Sequence, residues 1–445
     1  MLCTRRSHSW LLLVLLAVLV GITTQAFGTG PVFKKAVFFG GAGDQRGQSA
    51  VIRGNGLYIT GYDYANSRGL ALKYELPLAD APAWANSPSV GLNSGAATDS
   101  TTYFFGAVPP TACGVIDNVG GWEAKPILAI YDINGAFISC DTIHLFPHAS
   151  GSTSFFAYSG GESYYSAVLV ESPTSFLYAT GYAENCGFGN YVFVIAKYDT
   201  TGNLLSAATE PGVTWDGYEC MGGSEMDATT QLNGDLYLGG YSSLLGEDRY
   251  SSFYLSHNWW DVKAVLMRYD ASLNRLWRQR PSDVGPSRFY AVTTLNGEVY
   301  AVGNTQGSGS PDGYLIEKYD QAGNRMWSRV TPAAAGAGLT GVTAATGKLY
   351  AVGWTKAAGA GGADVALLEI DPATGNTLST TLYSGAYDDV ASAVVTDGTD
   401  VYIIGESRSF SNDGNTEGQD DLMVLQYRVK EPATTTVFLI SSANA

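Results

Sequence analysis

The dominant pattern in this chain is a short apolar run in which a tyrosine is followed three residues later by a glycine. The run occurs seven times: LYITGY (57–62), TYFFGA (102–107), LYATGY (177–182), LYLGGY (236–241), VYAVGN (299–304), LYAVGW (349–354) and VYIIGE (401–406). Aromatic and β-branched residues favour pleated sheets, so each copy predicts one strand, which we label b.

A second apolar run follows every copy of strand b and usually closes on Tyr-Asp. The seven runs are LALKYE (70–75), ILAIYD (127–132), VIAKYD (194–199), VLMRYD (265–270), LIEKYD (315–320), LLEID (367–371) and VLQYR (424–428). They predict strand c. Shorter runs before b and after c, such as 290–295 and 274–280, predict strands a and d, so each unit has four strands.

Units of this kind are typical of β-propeller blades. The tyrosine of strand b recurs at intervals of 45 to 75 residues, and Asn-Gly pairs such as 296–297 join strand a to strand b. Asp-to-Gly turns such as DQAGN join c to d, which leaves no room for crossover helices. The sequence therefore predicts an all-β, seven-bladed β-propeller of four-stranded antiparallel blades.

A terminal strand is expected to close the ring, because closure removes exposed strand edges. Residues 32–39, followed by Gly40 and Gly41, match the junction after strand d at 383–385. The C-terminal run TTTVFLI (435–441) is the alternative, and the sequence does not decide between the two. In both cases 27–441 form a single propeller domain, with 442–445 as a C-terminal tail.

The pattern of residues 1–26 predicts a signal peptide. Arg5 and Arg6 precede an apolar run from Trp10 to Val20, and small residues follow near Ala26. An uncleaved anchor is the alternative. No later stretch is apolar enough to span a membrane, so we expect a secreted or cell-surface protein. Residues 1–26 hold two of the 25 basic residues and none of the 41 acidic ones, which leaves a formal charge of −18. That charge argues against a nucleic-acid partner.

Four cysteines follow the predicted signal: Cys113, Cys140, Cys186 and Cys220. An even number in an exported chain predicts two disulfides, and four cysteines allow three pairings. The predicted blades favour 186–220 and 113–140, because each pair falls within one blade.

Nearly all extra length falls at one end of the predicted ring, which we call the long-loop face. It comprises the b–c and d–a connections, with long examples at 107–125, 147–164, 183–190, 208–225, 242–261 and 407–420. The a–b and c–d turns form the opposite, short-turn face. Long loops on a rigid scaffold usually carry binding, so we predict the functional surface on the long-loop face.

Aromatic residues concentrate in one of these loops. The predicted binding residues are Trp122, Tyr250, Tyr254, His257, Trp259 and Trp260. Exposed aromatic rings stack on sugars or anchor protein partners. The alternative interpretation is that these rings cover a neighbouring blade.

The sequence offers little evidence for metal binding or catalysis. Asp413, Glu417 and Asp420 supply oxygen ligands suited to a structural Ca²⁺, but their spacing is not that of an EF-hand. Aspartates recur just before strand c, which suggests that they cap the backbone there: Asp261, Asp312, Asp364 and Asp421. Catalytic residues are not recognisable, and no cofactor is predicted beyond the structural calcium.

The repeats resemble the bacterial β-propeller repeat family, often called SBBP repeats. The resemblance rests on LYAVGWT (349–355), Asp364 and IDPATGN (370–376), and it is clearest over 227–428. It implies a surface-exposed or secreted propeller without shared catalytic residues. Trp277 and Trp327 also resemble the docking residues of quinoprotein dehydrogenase propellers. Those enzymes use eight blades and adjacent cysteines, which this chain lacks.

The leading functional hypothesis is an exported, non-catalytic module that binds a glycan or a protein through its long-loop face. The competing hypotheses are an extracellular propeller enzyme, either a glycan hydrolase or lyase or a quinoprotein-like oxidoreductase, and a structural cell-surface protein.

Overall fold

The structure is a computed structural model, and it confirms a seven-bladed propeller made of four-stranded antiparallel sheets. It describes residues 30–41, 43–108, 125–142, 162–171, 174–184, 191–209, 214–215, 218–219, 224–242, 263–281, 285–305, 313–332, 337–356, 362–410 and 419–429. Within these residues there is no helix, and therefore none that could span a membrane.

The first three blades follow the predicted a-b-c-d order. Blade 1 contains β2 (Gln45–Arg53), β3 (Gly56–Asp63), β4 (Arg68–Glu75) and β5 (Trp84–Asn86); blade 2 contains β6 (Gly91–Ala97), β7 (Thr101–Val108), β8 (Lys125–Asp132) and β9 (Phe137–Thr142); blade 3 contains β10 (Glu162–Val170), β11 (Phe176–Glu184), β12 (Tyr191–Asp199) and β13 (Leu204–Thr209). A two-stranded hairpin, β14 (Thr214–Trp215) and β15 (Tyr218–Glu219), lies between blades 3 and 4 in the chain.

The next three blades repeat the same order. Blade 4 contains β16 (Ser224–Leu232), β17 (Asp235–Ser242), β18 (Lys263–Tyr269) and β19 (Arg275–Gln279); blade 5 contains β20 (Ser287–Leu295), β21 (Glu298–Thr305), β22 (Gly313–Tyr319) and β23 (Arg325–Pro332); blade 6 contains β24 (Gly338–Ala345), β25 (Lys348–Thr355), β26 (Asp364–Ile370) and β27 (Thr377–Tyr383).

The N-terminal strand closes the ring. Blade 7 contains β28 (Asp389–Thr396), β29 (Asp400–Ser407) and β30 (Asp421–Arg428), and its outer strand is β1 (Val32–Phe39), which pairs antiparallel with β30. This settles the choice that the sequence left open between the two terminal segments. The C-terminal run at 435–441 lies outside the described residues.

The core lies between the sheets, because each blade packs its faces against both neighbours. Strand c of blade 6, β26, is buried along its whole length. At the closure of the ring, Leu57 and Ile59 of blade 1 form one cluster with Ile404 and Val424 of blade 7. The inner a strands also contact one another from blade to blade around the full circle.

The repeated tyrosine of strand b joins one blade to the next. Tyr103, Tyr178 and Tyr300 are at most 2% exposed. Their hydroxyls donate to carbonyls in the c–d turn of the following blade, at 2.9 Å to Thr200, 3.2 Å to Ala271 and 3.3 Å to Pro372. A large ring with one polar end suits this position, since the ring fills the core while the hydroxyl is satisfied.

A β-bulge in every a strand accounts for the repeated glycine. The seven bulges leave out Gln48, Asn93, Tyr165, Asp227, Tyr290, Thr340 and Ser392 from pairing with strand b. Next to each bulge the two strands approach closely, so that a Cβ on Gly353 would lie 1.8 Å from the carbonyl oxygen of Gly338. Only glycine fits such a backbone contact.

Candidate functional site

On the short-turn face, the aspartates of the c–d turns are hydrogen-bonded to the backbone of their own turns. In the c–d turn of blade 3, Asp199 Oδ1 accepts from the N–H groups of Thr201 and Asn203, both at 2.9 Å. Asp270, Asp320 and Asp371 accept backbone N–H groups in the corresponding turns of blades 4, 5 and 6. These carboxylates hold the chain in shape and leave little for a ligand.

One variable side chain per blade follows the repeated glycine of strand b directly, at the long-loop end of the strand; all those described are buried or half-buried. We call these positions the rim. Where the structure describes the side chain, the rim residues are Tyr62, Ala107, Tyr241, Asn304, Trp354 and Glu406. Because the glycine fixes the backbone against strand a, the next residue is held at the end of the sheet. The fold therefore supplies equivalent positions that differ in chemistry from blade to blade.

Arginines of strand a connect neighbouring rim positions. Arg46 of blade 1 lies 2.9 Å from Glu406 Oε2 of blade 7. Arg288 of blade 5 places its guanidinium carbon 4.0 Å from the ring centre of Tyr241 of blade 4. Both arginines stand two residues before the bulge of their strand. In both blades, the arginine at this position of strand a thus contacts the rim residue of the preceding blade.

In the described part of this face, charged side chains are concentrated where blades 7 and 1 meet. The Asp420 carboxylate forms ion pairs with the guanidinium groups of Arg46, at 2.8 Å, and of Arg408, at 2.9 Å. The guanidinium of Arg46 also lies 4.9 Å from the ring centre of Tyr64, which is 49% exposed. This charged junction combines an accessible aromatic ring with two guanidinium and two carboxyl groups, a set able to bind polar and planar ligands.

Glu406 is unusual within the charged junction. Burial raises its pKa to about 7; Asp420 and Asp44 also raise it, while Arg46 and Arg408 act in the opposite direction. The carboxyl therefore changes protonation state near neutral pH. Carboxyl groups held in this way are concentrated at functional sites, although structural ion pairs produce similar shifts.

Two blade junctions on this face share one backbone arrangement. At the junction of blades 6 and 7, Ala363 N–H donates to Asp388 Oδ1 at 2.7 Å, and Asp389 N–H donates to the Ala363 carbonyl at 2.6 Å. At the junction of blades 7 and 1, Asp420 occupies the position of Ala363 and donates its N–H to Asp44 Oδ1. Asp44 therefore occupies the position of Asp388, and the Asp420 carbonyl accepts the N–H of the residue after Asp44. These aspartates cap the residue before strand c from the following blade.

The capping interpretation of the sequence was wrong for Asp364. Neither oxygen of that side chain has a hydrogen-bond partner. Asp388 caps instead, because the d–a connection brings it opposite the N–H of Ala363. Asp261 and Asp312 lie outside the described residues. No sequence signal separated Asp364 from Asp388, since only the packing of blade 7 on blade 6 reveals the difference.

The predicted binding residues lie outside the described residues: Trp122, Tyr250, Tyr254, His257, Trp259 and Trp260. Their segments follow β7 and β17 at the long-loop ends of those strands. Their role stays a prediction. The rim was missed by sequence reasoning, although the position after each repeated glycine was a signal that could have identified it.

Only some of the predicted disulfide and calcium-binding residues are among those that the structure describes. Cys140 lies on β9 and is partly buried against the core cluster that blades 1 and 2 share. Cys113, Cys186 and Cys220 lie outside the described residues, so the pairing stays a prediction. Of the calcium candidates, Asp413 and Glu417 lie outside the described residues, and Asp420 is engaged by Arg46 and Arg408.

Comparison with known proteins supports the fold alone. No family model and no curated protein matches this chain. The WD40 β-propeller domain of Doa1 superposes with a TM-score of 0.50 at 8% identity, covering 91% of this chain and 98% of that chain. The WD40 domain of Neurospora crassa Pan2 gives a TM-score of 0.48 at 9% identity, covering 86% and 89%. The fold defines a β-propeller, a scaffold consistent with binding and interaction.

Proposed function

We propose that this chain is an exported, non-catalytic propeller that binds a glycan through its long-loop face. The observation that carries the proposal is the contrast between the two faces. One is made of short turns with internally satisfied polar groups, and the other presents variable rim residues around a charged junction. Tyrosine and tryptophan rings stack on sugars, and carboxyl and guanidinium groups bind their hydroxyls. Trp259 and Trp260 would extend this surface.

A glycan array tests the proposal most simply. We expect the purified protein to retain a defined set of glycans. The Trp259→Ala and Trp260→Ala double variant should bind at least tenfold more weakly, and Arg46→Ala should weaken binding to a similar degree. Asp320→Asn changes a turn on the short-turn face and serves as the matched control, with unchanged binding.

Two results would redirect this proposal. If no glycan is retained by the parent protein, the sugar ligand is abandoned, and a protein partner becomes the ligand to seek. If Asp320→Asn weakens binding as much as Arg46→Ala, the functional face has been assigned to the wrong end.

Glu406 favours a second candidate, a glycan-cleaving enzyme. A carboxyl group with a pKa of about 7 is protonated often enough at neutral pH to act as a general acid. Incubation with each retained glycan, followed by measurement of new reducing ends, separates the two candidates. The binding proposal predicts no release of product, whereas release that disappears in Glu406→Gln would establish the enzyme.

Export is a separate part of the proposal, supported by the N-terminal basic and apolar segments. N-terminal sequencing of the protein recovered outside the cytoplasm tests it directly. We expect the recovered chain to begin near Phe27. A chain that retains residues 1–26 would instead indicate an uncleaved anchor.

A further inference from the structure

Three aspartates stand at the junction where blade 6 passes into blade 7. Asp364 begins β26, and Asp388 directly precedes Asp389, which begins β28. Asp364 and Asp389 are completely buried, whereas the side chain of Asp388 is 50% exposed. Buried carboxylates are costly unless each is hydrogen-bonded or paired with a positive charge.

Only part of this group is satisfied by hydrogen bonds. Asp388 Oδ1 accepts from Ala363 N–H at 2.7 Å, and Asp389 Oδ1 accepts from the Ser407 hydroxyl at 2.6 Å. Both oxygens of Asp364 and Oδ2 of Asp389 are buried without a partner. Three carboxylate oxygens therefore remain unsatisfied inside the junction, which is rare in native proteins and calls for an ion, a water molecule or a proton as their partner.

The neighbouring charges make the buried carboxylate of Asp364 still less favourable. Burial raises the pKa of Asp364, and the neighbouring carboxyl groups of Asp389 and Asp388 raise it further. Arg408 contacts Asp388 at 3.8 Å, but it forms its closer ion pair with Asp420, at 2.9 Å. Among the described residues, both charged groups that shift the pKa of Asp364 are thus acidic.

The equivalent junction of blades 7 and 1 shows that the fold does not require this arrangement. There Gln45 stands in place of Asp389 and makes the same backbone hydrogen bond, from its N–H to the Asp420 carbonyl at 2.6 Å. The Gln45 side chain binds neutral partners and Asp63 without adding a charge. The shared backbone hydrogen bond therefore does not require a second carboxylate at the junction of blades 6 and 7.

We propose that the carboxyl groups of Asp364 and Asp389 bind one Ca²⁺ ion that fastens blade 6 to blade 7. Calcium takes six to eight oxygen ligands in flexible geometry, whereas Mg²⁺ keeps several waters, which a buried site does not readily admit. The two aspartates supply three free oxygens. No third His, Cys, Asp or Glu side chain joins them to form a metal-binding group within the described part of the chain, so the remaining ligands would be mainly hydroxyl or carbonyl oxygens.

A shared proton is the competing explanation. One proton held between Asp364 and Asp389 would also satisfy the free oxygens, as in carboxyl pairs that titrate together. The two explanations differ in what stabilises the protein. Calcium stabilises it at neutral pH, whereas a shared proton stabilises it at low pH and is lost as pH rises through the raised pKa values.

Thermal unfolding at pH 7.5, with Ca²⁺ or with a chelator, separates these explanations. With free Ca²⁺ at about 100 times its Kd, the wild-type folding equilibrium should shift about a hundredfold toward the native state. Asp364→Asn and Asp389→Asn should abolish the shift. In chelator, Asp364→Asn should be at least as stable as the wild type, because it removes a repelling charge. Elemental analysis should find one fewer calcium per chain in each variant.

The control is the double variant Asp413→Asn and Glu417→Gln, which alters the separate calcium candidate in the loop before β30. It should retain the full response at Asp364 and Asp389. The proposal is overturned if the double variant loses the response while Asp364→Asn keeps it. It is also overturned if the wild-type melting temperature is the same in calcium and chelator and falls in both as pH rises.

Discussion

The two faces of this propeller treat their carboxyl groups in opposite ways. On the short-turn face, burial raises the pKa of Asp199, but hydrogen bonds from Asn203 and Thr201 outweigh it and bring the pKa down to about 2. On the long-loop face, burial dominates and raises the pKa of Glu406 to about 7. The difference shows that the Asp199 carboxylate stabilises the native chain in its charged form, whereas the charged form of Glu406 is held in the rim at a cost to folding.

This contrast between the two faces is consistent with a rigid scaffold that carries a site on one face. Groups kept in unfavourable environments persist where the surrounding structure holds them and where they serve a function. The repeated turns and bulges provide such a surrounding, because they recur in most blades while the rim residues vary. This contrast is what the proposed function predicts, with stability supplied by one face and recognition by the other.

The largest expected effect comes from two glycines of one hairpin. Gly353→Ala places a Cβ against the Gly338 carbonyl at the long-loop end of β25 and should destabilise the protein by about 3 kcal/mol or more. Gly347 lies in the a–b turn with φ of 75° and open space around it. Gly347→Ala should therefore cost only about 1 kcal/mol. Urea unfolding of both variants measures the difference, and equal costs would refute the close approach at the bulge.

A smaller effect is expected from Glu406→Gln, and it depends on pH. A folded pKa raised from 4.5 to about 7 stabilises the native state below pH 4.5, and this stabilisation is lost as pH rises through 7. The variant lacks that loss, so its free energy of unfolding should exceed the wild-type value by about 3 kcal/mol more at pH 8 than at pH 4. Parallel pH profiles for the two proteins would show that Glu406 does not titrate as described.

The smallest effect is expected on the short-turn face. Asp199→Ala removes the acceptor of several turn hydrogen bonds and should cost about 1 kcal/mol at pH 7, since the site is largely solvated. The lowered pKa means that this contribution is present above pH 4 and is lost toward pH 2. Asp199→Asn keeps an acceptor and is the control, with a smaller loss. A loss of ligand binding in either variant would contradict the separation of the two faces.

The sequence predicted the parts of the fold that repeat. Seven copies of the Tyr-to-Gly run and seven c strands were enough to define the blades, because each repeat obeys the same packing rule. It did not choose between 32–39 and 435–441 for closure, since both segments are apolar in sequence and only the observed pairing of 32–39 with β30 decides. The inner-strand bulges were also missed, because the pattern shows the glycine but not the carbonyl that approaches it.

The candidate site was less predictable for a physical reason. Aromatic loop residues stand out in composition, whereas the junction of Arg46, Glu406 and Asp420 joins residues more than 350 positions apart in the chain. Such contacts arise only when the ring closes. Asp364 and Asp388 likewise look equivalent in sequence, and their different roles depend on which blade each one faces.

Hydrogen–deuterium exchange with and without the glycan retained on the array would test the assignment of recognition to the long-loop face most directly. We predict that the ligand slows exchange in the strand ends and connections near 62–68 and 406–410. Exchange in the c–d turns at 199–203 and 320–324 should not change. Protection confined to those turns, with none near 62–68 or 406–410, would contradict the assignment.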